Sequence, residues 1–315
     1  MSEPTTQFIP LRRMSTIHCH GQNQQNPSYD YQSLSTFFST PTPAAQRRNI
    51  DEFIQALRPS PIGQYLTQHG RPVTQGLTNI INERRRQTPN GPLFVCIGEH
   101  HNESDRMADS IGEFLQAYSR NLTADQRRNL VIAIELPPNP ENLAALNLSL
   151  EEQEGLLQRL EEDSAALRII IAARRAGIQI ALVDSHIRIP SRTATREQID
   201  ARETIIFNNV SRLAQGLTNP TIFYYGGSVH CSKTAFRHIE PLATRLSSAH
   251  GNNRVISIRA VTRLSGFDWP SQDTPNLDQI VLPASNPVIA PIGGPVRNGI
   301  IGTYDYIITS PSIRR

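Results

Sequence analysis

The stretch "LFVCIGEHH", Leu93 to His101, decides how the rest of the chain is read. Its first five residues are apolar without alternation, which suits a strand buried on both faces rather than one lying on a sheet with a wet side. Gly98 closes the run, and Glu99, His100 and His101 follow directly. A chain with nine histidines has set two of them side by side at the mouth of a strand.

Further apolar runs of similar length recur along the chain. They are Leu130–Glu135 ("LVIAIE"), Ile178–Val183 ("IQIALV"), Thr221–Tyr225 ("TIFYY"), Val255–Val261 ("VISIRAV") and Tyr304–Thr309 ("YDYIIT"). Between them lie helical patterns at Ser104–Ser119, Leu150–Ala176 with a break, Arg196–Gln215 and Lys233–Ser247. Thr195 and Gln198 have the spacing of a capping box, and Ile199, Ile205, Ile206 and Val210 keep to one stripe behind it. Short apolar strands separated by helices predict an α/β domain over residues 90–315, with a mostly parallel central sheet flanked by helices. The Pro- and Gly-rich stretch Ser265–Gly299 has little period and is expected to form long loops.

Parallel strands release their carboxyl ends on one edge, where ligands of such sheets bind. The first four predicted strands end in Glu99-His100-His101, in Glu135, in Asp184-Ser185-His186 and in Gly226-Gly227-Ser228-Val229-His230. Each residue has a plainer use: Glu135 and Asp184 can cap turns or helices, and a Gly-Gly pair can mark a turn with positive φ. Functional groups at four strand ends favour a shared pocket.

Histidine can take a proton from water near neutral pH, a neighbouring carboxylate can hold its ring, and glycines let backbone N–H groups approach an oxyanion. This chemistry fits hydrolysis by activated water. His101, His230, Glu99 and Glu135 would equally suit a zinc or iron centre by ligand type, although no tight spacing such as H-E-x-x-H is present. Cys231 as a nucleophile is a third option that adjacency to His230 does not by itself support.

Composition narrows the classes. The net charge is +3, and the basic residues are scattered without interleaved aromatics, which argues against a nucleic-acid partner. Nearly all of them are arginine, and Lys233 is the single lysine. This reflects either coding bias or a working place where lysine ubiquitination would destroy the protein. Three cysteines without metal-ligand spacing speak against a disulfide framework, and no apolar run reaches the length of a membrane span. Residues 1–49 are rich in Ser, Thr, Gln, Asn and Pro, with Glu3 and Asp30 as the only acids, so that a disordered export leader is expected there. Residues 50–89 form a helical lead-in that includes a short helix at Ile50–Pro59.

The ordered series of strand-"GEHH", strand-"IELP", helix-"RETIIFNNV" and strand-"YYGGSVH" resembles the erythromycin esterase/ChaN-like superfamily, which is related to the TIKI proteases, over roughly residues 90–310. The resemblance implies His101 as base, with Glu99, Glu135 and His230 as its catalytic companions. It also implies that Arg202 and Glu203 face the pocket together with His100, Asp184 and His186 on the substrate side. Ile206-Phe207 departs from the Met-Ala of the family pattern, and the doubled histidine leaves His100 and His101 both open. The branches of the superfamily differ in activity: ester hydrolysis, haem binding or metal-dependent proteolysis. The expectation is a metal-independent, esterase-like hydrolase of unknown ester substrate, with a divalent metal or haem as the alternative cofactor. A haem ligand would be sought in Tyr224 or Tyr225. The leader and the scarce lysine also resemble plant-pathogen effectors of this fold. That likeness implies passage through type III secretion machinery into the host cytoplasm, possible recognition by a plant immune receptor, and cell death. A catalytically idle scaffold recognised by shape is the remaining alternative.

Overall fold

The computed structural model describes residues 61–99, 105–159, 165–186, 195–235, 239–261, 287–297 and 303–309. The leader at 1–49, the Ile50–Pro59 helix, His100 and His101 lie outside the described residues. The described residues form an eight-stranded mixed sheet with helices on both faces.

Two helices, α1 (Pro61–His69) and α2 (Val73–Gln87), flank a two-residue edge strand, β1 (Arg71–Pro72). There follow β2 (Leu93–Glu99), α3 (Asp105–Arg120), α4 (Ala124–Arg128) and β3 (Leu130–Ile134). Next come α5 (Pro140–Asn147), α6 (Leu150–Arg159), α7 (Ala165–Arg175) and β4 (Gln179–Leu182). The second half holds α8 (Arg196–Leu213), β5 (Thr221–Gly227), a 3-10 turn at Ser228–Cys231, α9 (Leu242–His250) and β6 (Val255–Val261). It closes with β7 (Val288–Pro291), α10 (Gly294–Arg297) and β8 (Tyr306–Thr309).

The strand order is β1-β7-β8-β6-β2-β5-β3-β4. All pairs from β8 to β4 are parallel, and only β7 runs antiparallel, against β1 and β8. Every residue of β2 is buried, as its unbroken apolar run requires of a strand covered on two sides. On one face Val95, Ile97 and Ile132 pack with Leu77 and Ile81 of α2, Ile111 and Phe114 of α3 and Ile169 of α7. On the other, Phe94, Cys96 and Tyr224 pack with Ile206 and Val210 of α8 and Leu242 and Leu246 of α9. The chain therefore leaves β2 across the first face on its way to β3, and leaves β5 across the second on its way to β6. β2 and β5 are neighbours, so the connections that follow them leave over opposite faces of the sheet, the topological position at which ligands of such sheets bind.

Four expectations change. The 265–299 stretch contributes β7 and α10, and β7 is held by its ladder to β8 rather than by any local period. The helix expected from Lys233 begins at Leu242, behind Pro241, because a proline suits the start of a helix and not its interior. Gly226 and Gly227 do not make a positive-φ turn but continue β5, paired with Gly98 and Glu99. The helical lead-in also supplies the edge strand β1. The capping box at Thr195 and Gln198 is present in both directions and starts α8 where the sequence places it. Among the described residues no helix is long and apolar enough to cross a membrane.

Candidate functional site

Glu135 is the hub of the site. Its N–H continues the ladder to Tyr225 O at 3.0 Å, so its side chain follows the alternation of β3 and emerges on the second face. There Oε2 accepts from the Tyr224 hydroxyl at 3.1 Å and from the Gly227 N–H. Oε1 faces Arg202 Nη2 at 2.6 Å and His230 Nε2 at 3.0 Å. Gly226 makes this approach possible: a Cβ there would stand 2.6 Å from the Cβ of Glu135 and 2.7 Å from the Tyr224 hydroxyl. The glycines of this motif serve close packing of backbone against a carboxylate.

Helix α8 supplies two consecutive residues that reach different partners. Arg202 grips Asp184 with two parallel bonds of 2.8 Å, Nε to Oδ1 and Nη2 to Oδ2, the fork geometry only a guanidinium provides. Burial works against its charge, and the fields of Glu135 and Asp184 more than restore it, so the group stays cationic. Glu203, 2% exposed, pairs through Oε1 with His230 Nδ1, and its Oε2 accepts the N–H of Leu242 at 3.0 Å. That N–H belongs to the first turn of α9, whose donors have no partner within the helix and whose dipole favours a carboxylate. Asn209, one turn and a half further along α8, donates to Val183 O at 3.0 Å and keeps the helix against the end of β4.

His230 thus sits between two carboxyl groups, one on each ring nitrogen. The Nδ1 contact is a close ion pair rather than an aligned hydrogen bond. Burial by itself would lower the imidazole's pKa; the fields of Glu135 and Glu203 outweigh it and raise the value to about 10. At neutral pH the ring is an imidazolium, an acid and not a base. Tyr224 is held in its neutral form first by burial and then by Glu135, so its hydroxyl remains a donor.

The structure therefore joins Glu135, Asp184, Arg202, Glu203 and His230 into one network at the carboxyl ends of β3, β4 and β5. Glu99 stands apart on the first face, where it is buried and accepts the Tyr225 hydroxyl. His186 is exposed. Arg202 bonds Asp184 and Glu135, and Glu203 pairs with His230 and bonds the Leu242 N–H, so the structure gives them the work of holding the network. Tyr224, named above as a candidate haem ligand, is part of the same network through its bond to Glu135. The signal for it was there: alternation along β3 and β5 sends Glu135 and Tyr224 to the same face. The two tyrosine hydroxyls lie on opposite faces, each engaged by a glutamate. Cys231 is buried against Cys96, and burial followed by that contact pushes its thiol well up, which leaves it a poor nucleophile. Among the described residues no group of three His, Cys, Asp or Glu side chains is arranged to hold a metal ion.

No family model matches the chain, and no curated protein matches it. Solved structures do overlap with it. The type III effector HopBA1 is 16% identical over 70% of this chain and 88% of that one, with a TM-score of 0.40. A Bacillus cereus protein is 11% identical over 79% of this chain and 96% of its own, with a TM-score of 0.43. RRSP, a MARTX toxin effector domain from Vibrio vulnificus CMCP6, is 16% identical over 69% of this chain and 44% of that one, with a TM-score of 0.34. Likeness at this level is partial overlap of backbones and transfers neither activity nor partner.

Proposed function

We propose that the strand-end network belongs to a hydrolase of the esterase type, working by activated water, in a protein delivered as an effector into a plant cell. The observation that carries the enzymatic half is the buried His230 ring fixed between Glu135 and Glu203 at the rim of a parallel sheet. A protein spends stability to bury such charges together, and they collect at sites of acid–base chemistry.

The roles follow from the protonation states. His230, held as the acid, is the proton donor, and Glu135 is the carboxylate through which it is presented. His101, from the GEHH motif, is the general base. In the hydrolytic step a water molecule gives a proton to His101 while its oxygen bonds to the ester carbonyl carbon. The carbon–oxygen bond to the alcohol then breaks, and the leaving oxygen takes its proton from the His230–Glu135 pair. Arg202 and Asp184 hold Glu135 in place. The Arg202 guanidinium bonds go to Asp184 and Glu135 and so serve the network rather than the developing negative charge.

A panel of model esters tests this, with native protein compared with His101→Ala and Glu135→Gln. The expected result is turnover by native protein and a fall of about 10²–10⁴-fold in kcat for the base variant. Equal background rates in all three would remove the hydrolase reading for those substrates. The delivery half rests on the Ser-rich, acid-poor segment 1–49 and the near absence of lysine. A translocation reporter on the full chain, with and without that segment, tests it independently, and equal entry into plant cells would remove the leader's role.

A further inference from the structure

The chain has 31 basic residues of the Lys and Arg types, and one of them is a lysine. Lys233 follows the 3-10 turn that carries His230. Its side chain is 9% exposed, with Nζ 2.7 Å from Asp305 Oδ2. The surroundings are closed from several sides. The N–H of Lys233 donates to Thr303 O at 2.8 Å, Asp305 Oδ2 also accepts the Ser257 N–H at 2.9 Å, and the Asp305 N–H returns to Ser257 O at 2.8 Å. The nitrogen is thereby enclosed between the turn and the segment leading into β8.

Coding bias that exchanges lysine for arginine acts without regard to burial. The surviving lysine would then fall most readily on the surface, where Arg86, Arg120, Arg127, Arg128 and Arg196 are exposed. Instead it occupies an enclosed position. The exposed basic positions are arginine, and although Arg259 is buried too, at 4% exposed, the single side-chain amine of the chain lies at an enclosed position.

We propose that the folded chain offers no side-chain amine to acyl-transfer modification, so that ubiquitin-conjugating machinery in a eukaryotic cytosol finds no lysine on it. The cellular consequence rests on the delivered-effector reading above. In the reaction being evaded, an amine nitrogen bonds to the carbonyl carbon of a ubiquitin thioester, the thiolate leaves, and an isopeptide forms with release of a proton. Lys233 cannot bring its nitrogen to that carbon without breaking the Asp305 pair and opening the turn. Arginine is charge-equivalent at the surface but is not a substrate of this chemistry.

The test uses the full chain with its α-amine blocked by acetylation. An N-hydroxysuccinimide biotin ester is applied to native and urea-unfolded protein, and the modified peptides are mapped. Lys233 is expected to stay unmodified when folded and to react when unfolded. In parallel, native chain and an Arg86→Lys/Arg120→Lys/Arg127→Lys variant are incubated in plant cytosolic extract with ubiquitin and ATP. The expected outcome is conjugates on the variant and none on native chain. Labelling or conjugation of Lys233 in the folded protein overturns the proposal, as does a variant that stays as free of conjugates as native chain. Because protein is added directly to extract, a failure of delivery in the translocation assay would leave this result standing.

Discussion

His230 has the most at stake of any single residue. Replacing it by alanine leaves Glu203 buried without its imidazolium partner, while Glu135 keeps Arg202. Removing one partner of such a buried arrangement costs about 3–5 kcal/mol, because the remaining charge is left uncompensated. His230→Ala is therefore expected to lower the unfolding free energy measured by urea titration at pH 7 by that much, and a loss near zero would contradict the ion-paired geometry. The pH dependence has a definite sign. The folded-state pKa of about 10 lies above the ordinary 6.5. The stabilisation is thus present in full below about pH 6.5, declines as pH rises from there, and is gone above about pH 10. The His230→Ala variant should lack this alkaline decline.

At the scale of elements, the turn after β5 depends on a glycine in the neighbouring strand. A Cβ at Gly98 would stand 2.6 Å from the Ser228 Cα and 2.9 Å from the Cys231 Cβ. The first of these is backbone and has nowhere to go. Gly98→Ala should push the Ser228–Cys231 turn outward, carrying His230 away from Glu135, at a cost of about 1–3 kcal/mol for overpacking. Thermal unfolding measures the cost, and a fully native-like melting curve would show that the turn yields freely. The parallel strands were legible in the sequence because each is a compact apolar run bounded by breakers, and α8 was legible through its capping box. The strand Val288–Pro291 was not. It is four residues long, ends in proline, and owes its existence to pairing with β8, a contact that no local window contains. The start of α9 was misplaced because its apolar pattern reads backward past Pro241, where the described residues 233–235 and 239–241 are not helical.

For the whole molecule, the sequence made the rim visible but not its two sides. Ending four strands in acids or histidines marked the shared edge, and the sheet does release Glu135, Asp184 and His230 there. What the chain order hides is the insertion of β5 between β2 and β3. That insertion, together with the alternation of each strand, sends Glu135 and Tyr224 to one face and Glu99 and Tyr225 to the other. The pairing of Glu203 with His230 was hidden for a related reason. It depends on α8 and α9 crossing the same face, with the first turn of α9 bonded to the second carboxylate oxygen.

All of this converges on the charge of one ring, which nuclear magnetic resonance reads directly. With ¹⁵N-labelled histidine, the two ring nitrogens of His230 should both report bound protons, with resonances unmoved from pH 6 to pH 8.5 and a transition only near about pH 10. A transition near the ordinary imidazole value of about 6.5, with one nitrogen bare at neutral pH, would contradict the clamped imidazolium and the proton-donor role built on it.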